Sequence, residues 1–149
     1  MRIVVQRVRH AECEVDGKIV SQIDKGLVAY IGVADDDTEK DVMLAAKKIA
    51  GVRVFKDENG KMSKNVSDVD GKIMLISNFV LMGRMTRGFR PDCTHAAKYD
   101  MGKKCFDAVA EEISKTVPTV TGVFGAHMEI LVNTDGPIND IIDTREMRK

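Results

Sequence analysis

The sequence predicts an α+β fold: a twisted, partly barrel-like β-sheet with two main helices packed outside it. Three observations point there. Apolar residues alternate with period two, or run unbroken at strand length, over most of the chain. Only two stretches switch to helical spacing, and the turn signals Asp16-Gly17, Asp57 to Gly60 and Asp70-Gly71 punctuate the rest. At 149 residues the chain is long enough for one sizeable core, so residues 1–149 are read as one domain.

The elements follow in order. Ile3, Val5 and Val8, interrupted by Arg2, Gln6 and Arg7, open a strand pattern that continues from Ala11 to Val15. Asp16-Gly17 then turns the chain into Lys18 to Ile23, which makes a hairpin. Gly26 to Val33 is a continuous apolar run of strand length, the mark of a central strand covered on both faces. Thr38 is an N-cap with Asp41 three residues on, and Val42, Ala45, Ala46 and Ile49 form one helical face before Gly51 ends the pattern. Arg53 to Phe55 resumes a strand, with Lys61-Met62 beyond the next turn, and Lys72 to Phe79 is another. Gly83 to Thr94, rich in Arg, Gly and Pro, is the longest irregular stretch, the kind of segment that carries function. Met101, Cys105, Val109 and Ile113 share a second helical face that ends before Pro118. Ala126 to Asn133 is read as the last strand, delivering the chain into a turn at Thr134 to Pro137.

Composition narrows the classes of function. Apolar residues make up 44% and charged residues 31%, and no apolar run approaches the roughly 20 residues of a membrane span. No signal-peptide core follows the charged N-terminus, so a soluble, cytoplasmic protein is expected, without a membrane partner. Cys13, Cys93 and Cys105 lack a C-x-x-C pair, and no metal-ligand spacing, P-loop or dinucleotide fingerprint occurs. No metal and no cofactor is expected. Net charge is zero, but Arg84, Arg87, Arg90, Lys98, Lys103 and Lys104 stand against only Asp92 and Asp100 in their window, a local excess of +4. Such a cluster suits phosphates, or is simply a solvated loop and helix face.

The usual catalysts are scarce. His10, His95 and His127 have no partner motif, Ser77 is not in a G-x-S-x-G elbow, and Cys93 lacks a Cys-His signature. Backbone chemistry remains. At a strand end such as Ile76 to Val80, successive amides can point at a bound carbonyl and stabilise its developing negative charge, although an ordinary strand end has the same composition. Gly136-Pro137 pairs a residue without Cβ and a residue without an N–H, so a turn there can present bare carbonyl oxygens, or be merely a loop.

These segments, Gly122 to Pro137 with Ile76 to Gly83 and Arg87 to Pro91, together resemble the D-aminoacyl-tRNA deacylases, and the resemblance extends back to Ile3–Val8. It implies a homodimer that hydrolyses the ester of a D-amino acid on the 3′ end of tRNA, so the partners expected are aminoacylated tRNA and a second copy of the chain. It further implies catalysis by the backbone around Ser77, Asn78, Phe79 and Val80, and a cis Gly136-Pro137 that enters the partner's site and excludes L side chains. Arg7 then orients that loop, while Phe89, Pro91, Met128 and Thr134 support the site and the six basic residues bind RNA. Phe89 could instead be a core residue, and Arg7 a surface or edge-strand charge. Four positions depart from the family pattern: Asn78 and Val80 where Ser-Gln-x-Thr is usual, and Thr134 and Asn139 where Asn-x-Gly-Pro-x-Thr is usual. They leave two alternatives open. One is a non-catalytic relative that binds aminoacylated RNA ends, the other an unrelated esterase using Ser77 or Cys93.

Overall fold

In the computed structural model, which describes residues 1–148, one long strand organises everything else. β1 (Arg2–Val15) pairs antiparallel with β2 (Lys18–Ile23) and β3 (Gly26–Gly32), which continue one another in register: Val8 faces Gly26 and Ala11 faces Ile23. The predicted hairpin is thus the hub of the sheet, with Asp16 and Gly17 both at positive φ in its turn. β6 (Lys72–Ser77) adds to β3 in parallel, β7 (Thr119–Thr121) adds to β6 in parallel, and β8 (Glu129–Asp143) runs antiparallel along the other side of β1. The result is a six-stranded, nearly closed mixed sheet, with a separate small pair, β4 (Phe55–Lys56) and β5 (Met62–Lys64).

Two apolar clusters sandwich this sheet. The larger lies under the helices, where α1 (Glu39–Gly51) contributes Val42, Ala45, Ala46 and Ile49, and α2 (Tyr99–Ser114) contributes Phe106, Val109 and Ile113. The smaller, on the other face, joins Val8, Ala11, Cys13, Ile23, Val28, Met74 and Ile76. β3 is buried almost throughout because its alternate residues serve both clusters, as its unbroken apolar run predicts. α1 starts as expected: the Thr38 amide and hydroxyl both donate to the Asp41 carboxylate, at 2.9 and 3.0 Å. The same carboxylate accepts from Thr144 and Arg148, clamping the end of the chain onto α1. Burial pushes the Asp41 pKa up, but these hydrogen bonds outweigh it and hold the carboxyl well below its ordinary value.

Five features differ from the sequence expectations. β6 stops at Ser77 rather than Phe79, because the chain turns into a 3₁₀ segment over Phe79–Met82. β7 was not expected, since three residues are too few to show a period. On α2 the inward stripe is Gly102, Phe106, Val109 and Ile113; the bulky Phe106 takes the core, and Met101 and Cys105 sit half-buried at its edge. Thr134 to Pro137 does not end the last strand but lies inside β8, which resumes because Asp140 to Asp143 pair with Val5 to Arg2. His127, placed on that strand by its sequence, precedes it.

Candidate active site

Two backbone features stand out, and both grow from the sheet. The first is the exit of β6. The Asn78 amide donates to the Ile31 carbonyl at 2.9 Å, so it is committed to holding β6 against β3 and is not available to a ligand. That removes Asn78 from the backbone donors expected around Ser77 to Val80. Leu81 N–H then bonds the Asn78 carbonyl and Gly83 N–H the Val80 carbonyl, at 3.3 and 2.8 Å, which closes the 3₁₀ turn. Among the described residues, the Phe79 and Val80 amides find no acceptor, and both side chains are in solvent, at 63% and 49% exposure. The turn lies close on β3 because Gly32 is beneath it; a Cβ there would stand 2.9 Å from Leu81 Cβ and 3.1 Å from the Asn78 carbonyl oxygen. Ser77 is half-buried, and no histidine hydrogen-bonds it: His10 binds Glu12 and Asp24, while His95 faces Asp35. The elements of a Ser-His-acid triad are therefore not assembled around Ser77.

The second feature is a wide bulge in β8. Gln6 pairs with Asn139 and Val8 with Thr134, so the single residue Arg7 stands opposite four, Asp135 to Ile138. The extra residues leave the ladder and carry Gly136 and Pro137 into solvent, joined by a cis peptide bond. Gly136 has φ of 129°, and a Cβ on it would come within 2.8 Å of Ile138, so this position requires glycine. Arg7, itself buried, donates from one terminal nitrogen to the Val54 carbonyl at 2.7 Å and from Nε to the Asp135 carbonyl at 3.2 Å. Its guanidinium also lies 3.3 Å from the Asp135 carboxylate, which Arg9 approaches from the other side at 3.7 Å. Arg7 thus ties the base of the bulge to the body of the chain. Asp135 and Arg9 were not singled out from the sequence; an acid beside Gly136-Pro137 facing two arginines on the first strand was the available signal.

The remaining predicted residues fall into two groups. Arg84 and Asp92 exchange backbone hydrogen bonds of 3.0 and 2.9 Å, which pinch the loop between them into a hairpin-like finger carrying Arg87, Phe89, Arg90 and Pro91. Phe89 is 98% exposed, which excludes the core role. Lys98, Lys103 and Lys104 are exposed at the start of α2, where Lys103 is paired with Asp107 at 2.6 Å. Met128 packs half-buried against the smaller cluster and Thr134 is exposed at the edge of the bulge. Within the chain, no hydrogen bond or ion pair among the described residues joins Gly136-Pro137 to the Ser77–Val80 segment. A groove of about 600 Å³ between α1 and α2 is lined by Lys104 but by none of the other predicted residues. No group of three or more potential metal ligands is found among the described residues.

The match to a family model rules out the unrelated esterase: the model described as D-Tyr-tRNA(Tyr) deacylase covers residues 4–143. The chain belongs to this family. Similar proteins include a D-aminoacyl-tRNA deacylase of Kosmotoga olearia, 45% identical over 98% of this chain and 99% of its own, and one of a Sulfurihydrogenibium species, 42% identical over 99% and 100%. Among solved structures, a c-Myc DNA unwinding element binding protein superposes with a TM-score of 0.91 at 32% identity, covering 96% of this deacylase-family chain and 98% of its own. A probable eukaryotic D-amino acid tRNA deacylase has a TM-score of 0.83 at 14% identity, over 95% and 97%, and shares the fold. As a family member, the chain carries its two backbone features, the open amides and the Gly136-Pro137 bulge, on the scaffold of this fold.

Proposed function

We propose that this chain, as a cytoplasmic homodimer, hydrolyses the ester bond of D-aminoacyl-tRNA by backbone oxyanion stabilisation, with chirality read by the Gly136-Pro137 bulge of the second copy. Deacylation itself goes with the family: the chain is a D-aminoacyl-tRNA deacylase, a hydrolase acting on aminoacyl-tRNA. The observation that carries the mechanism is the pair of unpartnered amides at Phe79 and Val80. An ester of a ribose hydroxyl is already activated, and two donors aimed at its carbonyl oxygen stabilise the charge that develops when water attacks. The water loses its proton as it bonds to the carbonyl carbon, and the ribose oxygen leaves with a proton, assisted by the neighbouring 2′-hydroxyl of the substrate. Val80 has no hydroxyl to contribute, so no step is assigned to its side chain.

The dimer is supported by the bulge. Gly136 and Pro137 are exposed, among the described residues no hydrogen bond joins them to the Phe79 and Val80 amides of their own chain, and a two-fold pair would place each bulge at the other subunit's site. Carbonyls there would accept from the substrate's α-amino group and occupy the space an L side chain needs. A D-residue, or glycine, then fits by exclusion of its mirror image. No helix among the described residues is long and apolar enough to cross a membrane. Purified protein assayed on D-tyrosyl-, L-tyrosyl- and glycyl-tRNA, with its mass measured in solution, tests the reading. Hydrolysis confined to the first and third by a dimer is expected, and full activity of a monomer would overturn the composite site.

A further inference from the structure

We propose that Phe89 is a stacking platform for an unpaired base of the tRNA 3′ end, held on the arginine finger beside the open amides; this rests on the deacylase reading above. Of the five phenylalanines, Phe55 and Phe106 are buried, Phe124 packs against Tyr99 and Phe106, and Phe79 is 63% exposed at the 3₁₀ turn, whereas Phe89 is 98% exposed. A ring left wholly in water forgoes the burial that makes an aromatic worth having, so its use lies in what it meets outside the chain. The finger that bears it is not a slack loop. Its neck is fixed by the paired backbone bonds of Arg84 and Asp92, and Gly88, at φ of 69°, turns the chain immediately before the ring.

The surroundings select the ligand. Arg84, Arg87 and Arg90 are exposed and pair with no carboxylate among the described residues. The one acid of the finger, Asp92, accepts from the amide and hydroxyl of Thr94 through Oδ1. A flat apolar face on a finger that also carries three unpaired guanidinium groups matches a nucleotide, whose base stacks while its phosphates meet the cations. A hydrophobic peptide would leave three arginines desolvated and unpaired. The location selects which nucleotide. Gly83, whose amide closes the 3₁₀ turn on Val80, lies against the foot of the finger: a Cβ on Gly83 would stand 3.0 Å from Pro91 Cβ and 3.4 Å from Cys93 Sγ. The finger therefore rises directly from the turn that presents the Phe79 and Val80 amides, and a base on Phe89 belongs to the single-stranded residues next to the ester.

The chain contains no tryptophan, so Phe89→Trp installs a unique indole reporter. Titration with a single-stranded RNA oligonucleotide ending in CCA should quench its emission saturably. Phe89→Ala should raise KM for D-tyrosyl-tRNA by about 5- to 150-fold, the span of one base–aromatic stack, with kcat and the salt slope of binding little changed. Phe89→Trp should restore KM, and most of the effect should vanish on D-tyrosyl-adenosine, which lacks the upstream nucleotides. An unquenched indole, or a KM rise of equal size on D-tyrosyl-adenosine, would overturn the assignment. So would blue-shifted emission without RNA that depends on protein concentration, which would make Phe89 a contact between copies. Quenching of the Phe89→Trp indole by the oligonucleotide, with the wild-type protein inactive on D-tyrosyl-tRNA, would instead remove the deacylase reading and leave the stacking site.

Discussion

Replacing Arg7 by methionine should loosen the Gly136-Pro137 bulge and the fold together. The guanidinium supplies two hydrogen bonds to backbone carbonyls, Val54 at 2.7 Å and Asp135 at 3.2 Å, and an ion pair with the Asp135 carboxylate at 3.3 Å. A charged hydrogen bond contributes about 1.5–3 kcal/mol, and breaking a buried ion pair costs about 3–5 kcal/mol. Asp135 retains 33% side-chain exposure, so water screens its part, while the methionine side chain refills most of the volume. The net loss should be about 3 kcal/mol, or roughly 6–12 °C in Tm for a domain of this size. Arg7→Lys keeps the charge but has one compact head in place of a fork, and should lose about half as much. Urea unfolding measures the first quantity, and the ratio of kcat/KM on D- and L-tyrosyl-tRNA measures the second, which should fall as the bulge gains freedom. A stability loss under about 1 kcal/mol, or a full loss with an unchanged D:L ratio in the folded variant, would refute the view that Arg7 holds the bulge in its reading position.

Other expectations are more quickly stated. Val80→Thr and Ser77→Ala should each change kcat only modestly, whereas a 2′-deoxy terminal ribose should cost about 10²–10³ in kcat, on the scale of one strong transition-state hydrogen bond; a variant at Val80 that switches on a dead protein would contradict this. Replacing Arg84, Arg87, Arg90, Lys98, Lys103 and Lys104 with Ala should raise KM and flatten its dependence on salt, with the smallest contribution from Lys103, already paired with Asp107. The His10 imidazole is raised above its ordinary pKa by its hydrogen bonds to Glu12 and Asp24. Its contribution to stability is therefore complete below about pH 6.5 and lost as pH rises through the higher folded value, a step in Tm that His10→Gln should abolish. The hydrogen bond from Arg145 holds the Asp143 carboxyl down at about 2, so its contribution, present above about pH 3.9, is lost as pH falls toward that value, and Asp143→Asn should blunt the acid transition. Gly26→Ala should prevent normal pairing of β3 and β6, since the added Cβ would lie 1.8 Å from the Lys72 carbonyl oxygen; a variant with unchanged Tm would show that the strands part easily there.

The hairpin, the buried strand and both helices were legible because each is announced by its own residues: a period, a turn pair, a cap. What escaped depends on partners. A glycine and a proline inside a strand read as its end, and only the ladder that Asp140 to Asp143 form with β1 brings β8 back. The 3₁₀ turn after Ser77 has an apolar composition that continues the strand pattern, and it is Gly32, far away in sequence, that gives it room. The site shows the same division. Its segments could be located by resemblance, but which amides are free is a tertiary matter, because Ile31 takes the Asn78 donor and, among the described residues, nothing takes those of Phe79 and Val80. Phe89 was ambiguous for a related reason: a lone aromatic in an irregular stretch has no period to say whether it points in or out.

The bulge in β8 also bears on how such a chain can change over generations. The pairs Gln6–Asn139 and Val8–Thr134 close the ladder on both sides of Asp135 to Ile138, so a residue gained or lost between them need not shift the register of either half of β8. Lengthening a closed loop costs little, about 0.6 kcal/mol for each doubling, far less than sliding a strand across a packed face. Selection can therefore try new lengths and sequences in a segment that projects into solvent while the sheet that carries it is inherited intact, and Arg7 marks the point at which that freedom ends.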